Sequence, residues 1–223
     1  MTNNRSSKGR AEGEEAKLDR ELYFGDSYFA DTQLYSLSAQ IAQIHKLGAQ
    51  RILEIGKGNG FVSDFLSKAG HDVTTFDINP NLDPDVVGDI RKLNEHFSPG
   101  EFDLTVCAEV LEHMPFEYFE GTIEQIALST SNRAFITIPR CQHILLDFAC
   151  LIKIPKLRRK LRSLTLTLPK KDIWSGHHWE LDSDKKTKKR EIRKLLEKHF
   201  ILESFERFKL NPYHFFIVLK KRD

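Results

Sequence analysis

At 223 residues, with 40% hydrophobic and 30% charged side chains, the chain has the composition of one globular domain, or one domain with an insert, and not of a disordered polymer. The formal net charge of +2 hides an asymmetry, because acids concentrate in the first two thirds while Lys and Arg crowd the stretch from Lys153 onward. Three cysteines, Cys107, Cys141 and Cys150, form no CxxC pair and no ligand-spaced cluster, which argues against a disulfide framework or a metal centre and for reduced thiols.

The first residues, up to about Lys17, are polar and read as a flexible tail with no catalytic part. They lack the apolar core of a signal peptide, and no apolar run is long enough for a transmembrane segment, so the expectation is a cytoplasmic protein. The remaining chain, 18–223, reads as one domain. A Tyr/Phe-rich stretch leads into a helix from about Gln33 to Leu47, where apolar residues recur at three and four. RILEIGKGNG is a short apolar strand ending in glycines, and FVSDFLSKAG is a helix stopped by Gly70. HDVTTFDINP, DVVGDI, EFDLTVCAEV and RAFITIP supply four further strands, with a helix from Phe116 to Ser129 before the last of them. Strands alternating with helices imply an α/β fold, a Rossmann-like doubly wound sheet with helices on both faces.

After Pro139 the rhythm breaks, and the stretch of about 140–185 reads as an insert that caps the substrate. KKREIRKLLEKHF then restores a helix, and the last two strands meet at Asn211-Pro212 as an antiparallel hairpin.

The most informative segment is Glu54-Ile-Gly56-Lys-Gly58-Asn-Gly60, between a strand and a helix. Glycines there let backbone approach a ligand closely, and ligands of open α/β sheets bind beyond the carboxyl ends of the strands. A dinucleotide fingerprint would read GxGxxG. Here the glycines alternate as GxGxG behind an acid, which favours S-adenosyl-L-methionine over NAD. Asp77 ends the second strand, where an acid accepts from ribose hydroxyls; a turn-forming role is the alternative. Asp89 is placed to accept from an adenine amino group or to cap a helix, or both. Ile78, Ile90 and Glu109 complete the expected cofactor contacts. Glu112 and His113 either line the methionine side of the pocket or anchor the next helix.

The run from Arg51 to Phe116, with its glycine motif, strand-two acid, later Gly88-Asp89 and EVLEHMPF segment, resembles the class I S-adenosylmethionine-dependent methyltransferases. The resemblance implies a seven-stranded sheet with an antiparallel last strand. The EIGKGNG wording, with His178-Trp179-Glu180 and Asn211-Pro212-Tyr213-His214, resembles a bacterial subgroup of that family.

The function expected is O-methylation of a saccharide or lipid-linked saccharide, with no metal. An N-methyltransferase acting on RNA or protein is the enzymatic alternative, although the Asn-Pro-Pro-Tyr type of amine-site motif is missing after the fourth strand. A non-catalytic cofactor-binding module is the other alternative. The acceptor's proton goes to His178, with His177 and His113 as further candidates, since imidazole titrates nearest neutral pH. Trp179, Glu180, Tyr213 and His214 are expected at a small-molecule or glycan acceptor, Trp179 offering a flat face to a ring or serving instead as a buried anchor. Residues 144–168 join apolar side chains to the cationic run Lys153–Arg162, which suits an anionic membrane surface better than nucleic acid, because no aromatics interleave the cations.

Overall fold

The computed structural model describes residues 13–152, 160–170 and 172–222. A one-turn helix α1 (Asp26–Phe29) leads into α2 (Asp31–Leu47), which stops where Gly48 turns left-handed, φ 69°, and donates its N–H to the His45 carbonyl. Then follow β1 (Arg51–Ile55), α3 (Phe61–Lys68), β2 (Asp72–Asp77), the two-residue β3 (Val86–Val87), β4 (Phe102–Ala108), α4 (Phe119–Ser129) and β5 (Thr130–Pro139). β6 (Gln142–Ile152) and β7 (Lys160–Pro169) precede α5 (Lys189–His199), β8 (Phe200–Arg207) and β9 (His214–Lys221).

Seven strands form one sheet in the order β3-β2-β1-β4-β5-β9-β8. β1 to β5 pair in parallel, and β9 runs antiparallel to both β5 and β8. The last strand of the chain is therefore the reversed one, as the terminal hairpin requires. Strand order changes direction between β1 and β4, so the crevice beyond their carboxyl ends is where a ligand is received.

Both sheet faces are covered, which explains why β1 is apolar without alternation. Ile52 packs with Ile44 of α2 and Val62 and Leu66 of α3, while its neighbour Leu53 packs with Phe119, Ile123 and Ile126 of α4 and Ile192 and Leu196 of α5.

The insert holds structure that the break in rhythm does not announce. β6 and β7 form a separate two-stranded antiparallel ribbon. Its register places Leu146 opposite Leu166 and Phe148 opposite Leu164 on one exposed face, and Asp147 opposite Thr165, hydrogen-bonded at 2.9 Å, on the other. Most of the cationic run, residues 153–159, lies outside the described residues, as does the tail before residue 13. Residues 13–17, expected within that tail, are placed, and Glu15–Lys17 forms a 3-10 turn whose Glu15 reaches His113. Among the described residues no helix is long and apolar enough to cross a membrane.

Candidate active site

A cavity of about 1190 Å³ opens beyond the carboxyl ends of β1, β2 and β4, somewhat above the usual range for small-molecule sites, roughly 300–1,000 Å³. Its floor is the Gly56–Gly60 turn. All three glycines have positive φ, at 82°, 55° and 77°, and a Cβ on Gly56 would stand 2.3 Å from Val110 Cγ2. The spacing of glycines in the sequence is thus a conformational and a steric requirement together.

Glu54 is buried at the end of β1 with Ser63 beside it, and its Oε2 has no hydrogen-bond partner. Burial pushes its proton affinity up to about 8, against an ordinary 4.5. Asp77, also nearly buried, accepts from the Asn79 N–H at 2.9 Å, and desolvation raises it above the usual carboxylate range. Tyr23, from the segment before α1, lines the same wall, and burial together with Asp77 raises its phenol. Asp89 also lines the cavity, but its carboxylate caps the next 3-10 helix at Arg91 N and grips the Arg91 guanidinium at 2.5 and 2.9 Å. Both Ile78 and Ile90 are at the wall.

The far side is built from the loop after β4, from Lys170 and from residues 172–180. Glu109 has φ 53°, accepts from the Thr137 hydroxyl at 2.8 Å and faces His214 Nε2 at 3.3 Å. His214 Nδ1 lies 2.9 Å from Ser36 Oγ, so this imidazole is held between α2 and β4. Glu180 is a buried hub: it accepts from Trp174 N at 2.9 Å and from the Tyr213 hydroxyl at 2.7 Å, and pairs with His177 Nδ1 at 3.0 Å. These three partners keep Glu180 below the ordinary carboxylate range despite burial. Burial pushes His177 down while Glu180 opposes that shift. Glu112 is wholly buried with neither oxygen hydrogen-bonded, and burial with Glu109 beside it holds its proton affinity well up.

Several expectations change here. Trp179 offers no face to a ring: it is 2% exposed, packs on Phe116 and Phe119, and donates Nε1–H to the Leu111 carbonyl at 3.1 Å. It is the buried anchor that pins the insert to the sheet. Glu180 and Tyr213 bind each other, so Glu180 orients His177 instead of meeting an acceptor. The tryptophan at the wall is instead Trp174, 47% exposed and 4.9 Å from the His177 ring. From the insert, Lys170, Trp174, His177 and His178 line the cavity, and among the described residues of the ribbon none does. His178 is half-buried, its N–H fixed on the Glu112 carbonyl at 2.8 Å. The expected absence of a metal site meets a contrary arrangement: donor atoms of Glu112, His113 and His177 lie within 4.8 Å of one another. No sequence spacing shows this, since His177 comes from a different loop.

A methyltransferase-domain family model matches residues 28–184, more than two thirds of the chain. The chain belongs to the methyltransferase-domain family. Ubiquinone biosynthesis O-methyltransferases are similar in sequence: the mitochondrial protein of Schizosaccharomyces pombe at 26% identity over 51% of this chain and 51% of its own, and that of Methylococcus capsulatus at 27% over 59% and 70%. The match therefore spans about half the length of the first of these relatives. In fold, the chain is similar to 1,6-didemethyltoxoflavin-N1-methyltransferase of Burkholderia thailandensis, crystallised with S-adenosylhomocysteine, with TM-score 0.57, 15% identity and coverage of 98% and 93%. Magnesium protoporphyrin IX methyltransferase of Synechocystis, also with S-adenosylhomocysteine, gives TM-score 0.56, 14% identity and coverage of 86% and 84%. The residues of this cavity fit S-adenosylmethionine. A cradle that a Cβ would fill lies at Gly56, and the orphaned Glu54 oxygen suits its ammonium group.

Proposed function

We propose that this chain transfers a methyl group from S-adenosylmethionine to a hydroxyl of a small-molecule acceptor. The observation that carries the reading is the single cavity in which the glycine turn, Glu54 and Asp77 face Trp174 and His178 across Glu109 and His113. The O-methyltransferase relatives support oxygen as the methylated atom. Bound, S-adenosylmethionine supplies a methyl carbon made electrophilic by its sulfonium. The chain's residues then have orientation and charge placement to provide. Asp77 accepts from the ribose hydroxyls, Glu54 receives the ammonium, and Trp174, Met114 and Pro115 give the acceptor an apolar seat beside His113. His178 takes the hydroxyl proton on an imidazole nitrogen as the oxygen–carbon bond forms and the carbon–sulfur pair stays on sulfur.

The acceptor we favour carries its hydroxyl on a ring, a saccharide or lipid-linked saccharide being the finer form. The exposed apolar face of the β6–β7 ribbon, together with the cationic stretch Lys153–Arg162 of the sequence, suits contact with an anionic membrane surface. The EIGKGNG, His-Trp-Glu and Asn-Pro-Tyr-His segments support membership of the bacterial subgroup that they resemble.

Incubation with methyl-labelled cofactor and a panel of hydroxylated rings, free and lipid-linked, tests the reading. His178→Ala and His178→Gln are expected to keep S-adenosylhomocysteine affinity and to lose roughly a hundredfold in turnover. Near-wild-type turnover in both variants would remove His178 from the reaction, and label on nitrogen would refute oxygen transfer.

A further inference from the structure

One group in the cavity wall is left without a partner by everything above. Glu112 is 0% exposed, and neither carboxylate oxygen has a hydrogen bond. An ionised carboxylate in that state is costly unless a cation or donor meets it. Beside it, along with the Glu109 carboxylate, stands imidazole. Glu112 Oε1 stands 3.9 Å from His177 Nε2, and the His113 and His177 rings meet edge to face at 4.9 Å.

The two imidazoles are held in the same way. His177 turns Nδ1 to Glu180 at 3.0 Å, and His113 turns Nδ1 to Glu15 at 3.1 Å. A histidine whose Nδ1–H is taken by a carboxylate presents Nε2 as a lone pair, the arrangement that orients metal-binding histidines and raises their basicity. Glu180 is in turn fixed by Trp174 N and the Tyr213 hydroxyl, so this outer support is rigid. Glu109, three residues earlier, is engaged by Thr137 and His214 and stands outside the set.

We propose that Glu112, His113 and His177 bind one divalent first-row transition ion at the cavity wall. The donor set, two imidazole nitrogens and one carboxylate oxygen, suits Zn²⁺, Co²⁺ or Mn²⁺ better than the all-oxygen ions Mg²⁺ and Ca²⁺. Bonds of about 2.0–2.2 Å put ligand atoms roughly 3.3 Å apart. The present separations, all within 4.8 Å, need a contraction on the order of 1 Å, within reach of side-chain adjustment. Three protein ligands leave at least one position open toward the cavity, where an acceptor oxygen can approach. The ion's use in methyl transfer rests on the reading of the preceding section; its binding does not.

The test therefore reads binding, without acceptor or turnover. Full-length protein is stripped with chelator, dialysed and titrated with Co²⁺, with visible absorption reporting nitrogen ligation and calorimetry the stoichiometry. One Co²⁺ per chain, displaced by Zn²⁺, is expected. His177→Asn should weaken Co²⁺ at least about tenfold, and Glu180→Gln, which removes no ligand but loosens His177 together with the Trp174 N–H and Tyr213 hydroxyl contacts, by about tenfold. Glu112→Gln should also abolish the spectrum; should this buried replacement unfold the protein, His177→Asn and His113→Asn decide, with S-adenosylhomocysteine binding as the check on folding. No Co²⁺ spectrum at millimolar ion, or unchanged affinity in a folded His177→Asn protein, overturns the proposal.

Discussion

Replacing Glu54 with glutamine should flatten the pH dependence of stability, and the size of the effect follows from its burial. Its carboxyl holds a proton up to about 8 in the folded chain, against an ordinary 4.5. A raised carboxylate means that the folded state binds the proton more tightly than the unfolded one. The favourable contribution is complete below the unfolded value and is lost as pH rises through the folded one. Each pH unit inside that window costs about 1.4 kcal/mol, so roughly 5 kcal/mol disappears between pH 4 and pH 9, about 3 of it by pH 7. For a domain of this size about 1 kcal/mol moves Tm by roughly 2–4 °C. The wild-type melting temperature should therefore fall on the order of 10 °C further than that of Glu54→Gln between pH 5 and pH 9. The cofactor's ammonium, arriving beside Glu54, should expel the proton. Calorimetry with S-adenosylhomocysteine at pH 7 in two buffers of different protonation enthalpy should then show proton release in wild type and none in the variant. Parallel pH–stability curves for the two proteins, with no proton release, would refute both the burial argument and the placement of the ammonium.

Gly56→Ala introduces a Cβ at 2.3 Å from Val110 Cγ2 on a backbone with φ 82°. It should destabilise by about 1–3 kcal/mol and weaken S-adenosylhomocysteine at least about tenfold. Adding Val110→Ala should recover the steric part alone, as urea unfolding can resolve. Trp179→Ala should cost about 3–5 kcal/mol by the same measurement, because it opens a cavity against Phe116 and Phe119. A loss below about 1 kcal/mol would return Trp179 to the acceptor surface.

Legibility divides along the chain. The sheet, the glycine turn and Asp77 are written in contiguous residues: apolar runs four to seven long, glycines where φ must be positive, an acid at a strand end. Strand order follows because βαβ connections have one hand and the crevice must lie where that order reverses. The terminal hairpin is local in the same sense, with β8 and β9 separated only by the turn around Asn211 and Pro212.

The β6–β7 ribbon was half legible. Leu164, Leu166 and Leu168 alternate with Thr165 and Thr167 as a strand should, but LLDFACLI in the partner has no such alternation, because its strand packs on no core that would impose a period. The far wall of the cavity lay beyond sequence reasoning altogether. Ser36 meets His214 across 178 residues, and Glu112 meets His177 only because Trp179 Nε1–H and the His178 N–H dock the insert on Leu111 and Glu112. Motif spacing encodes contacts between neighbours in the chain, whereas these contacts exist only once two elements have packed. The sequence by itself determined the fold and the cofactor side of the cavity; tertiary packing decided that Trp179 is core, that Glu180 serves His177, and that a buried carboxylate looks onto two imidazoles.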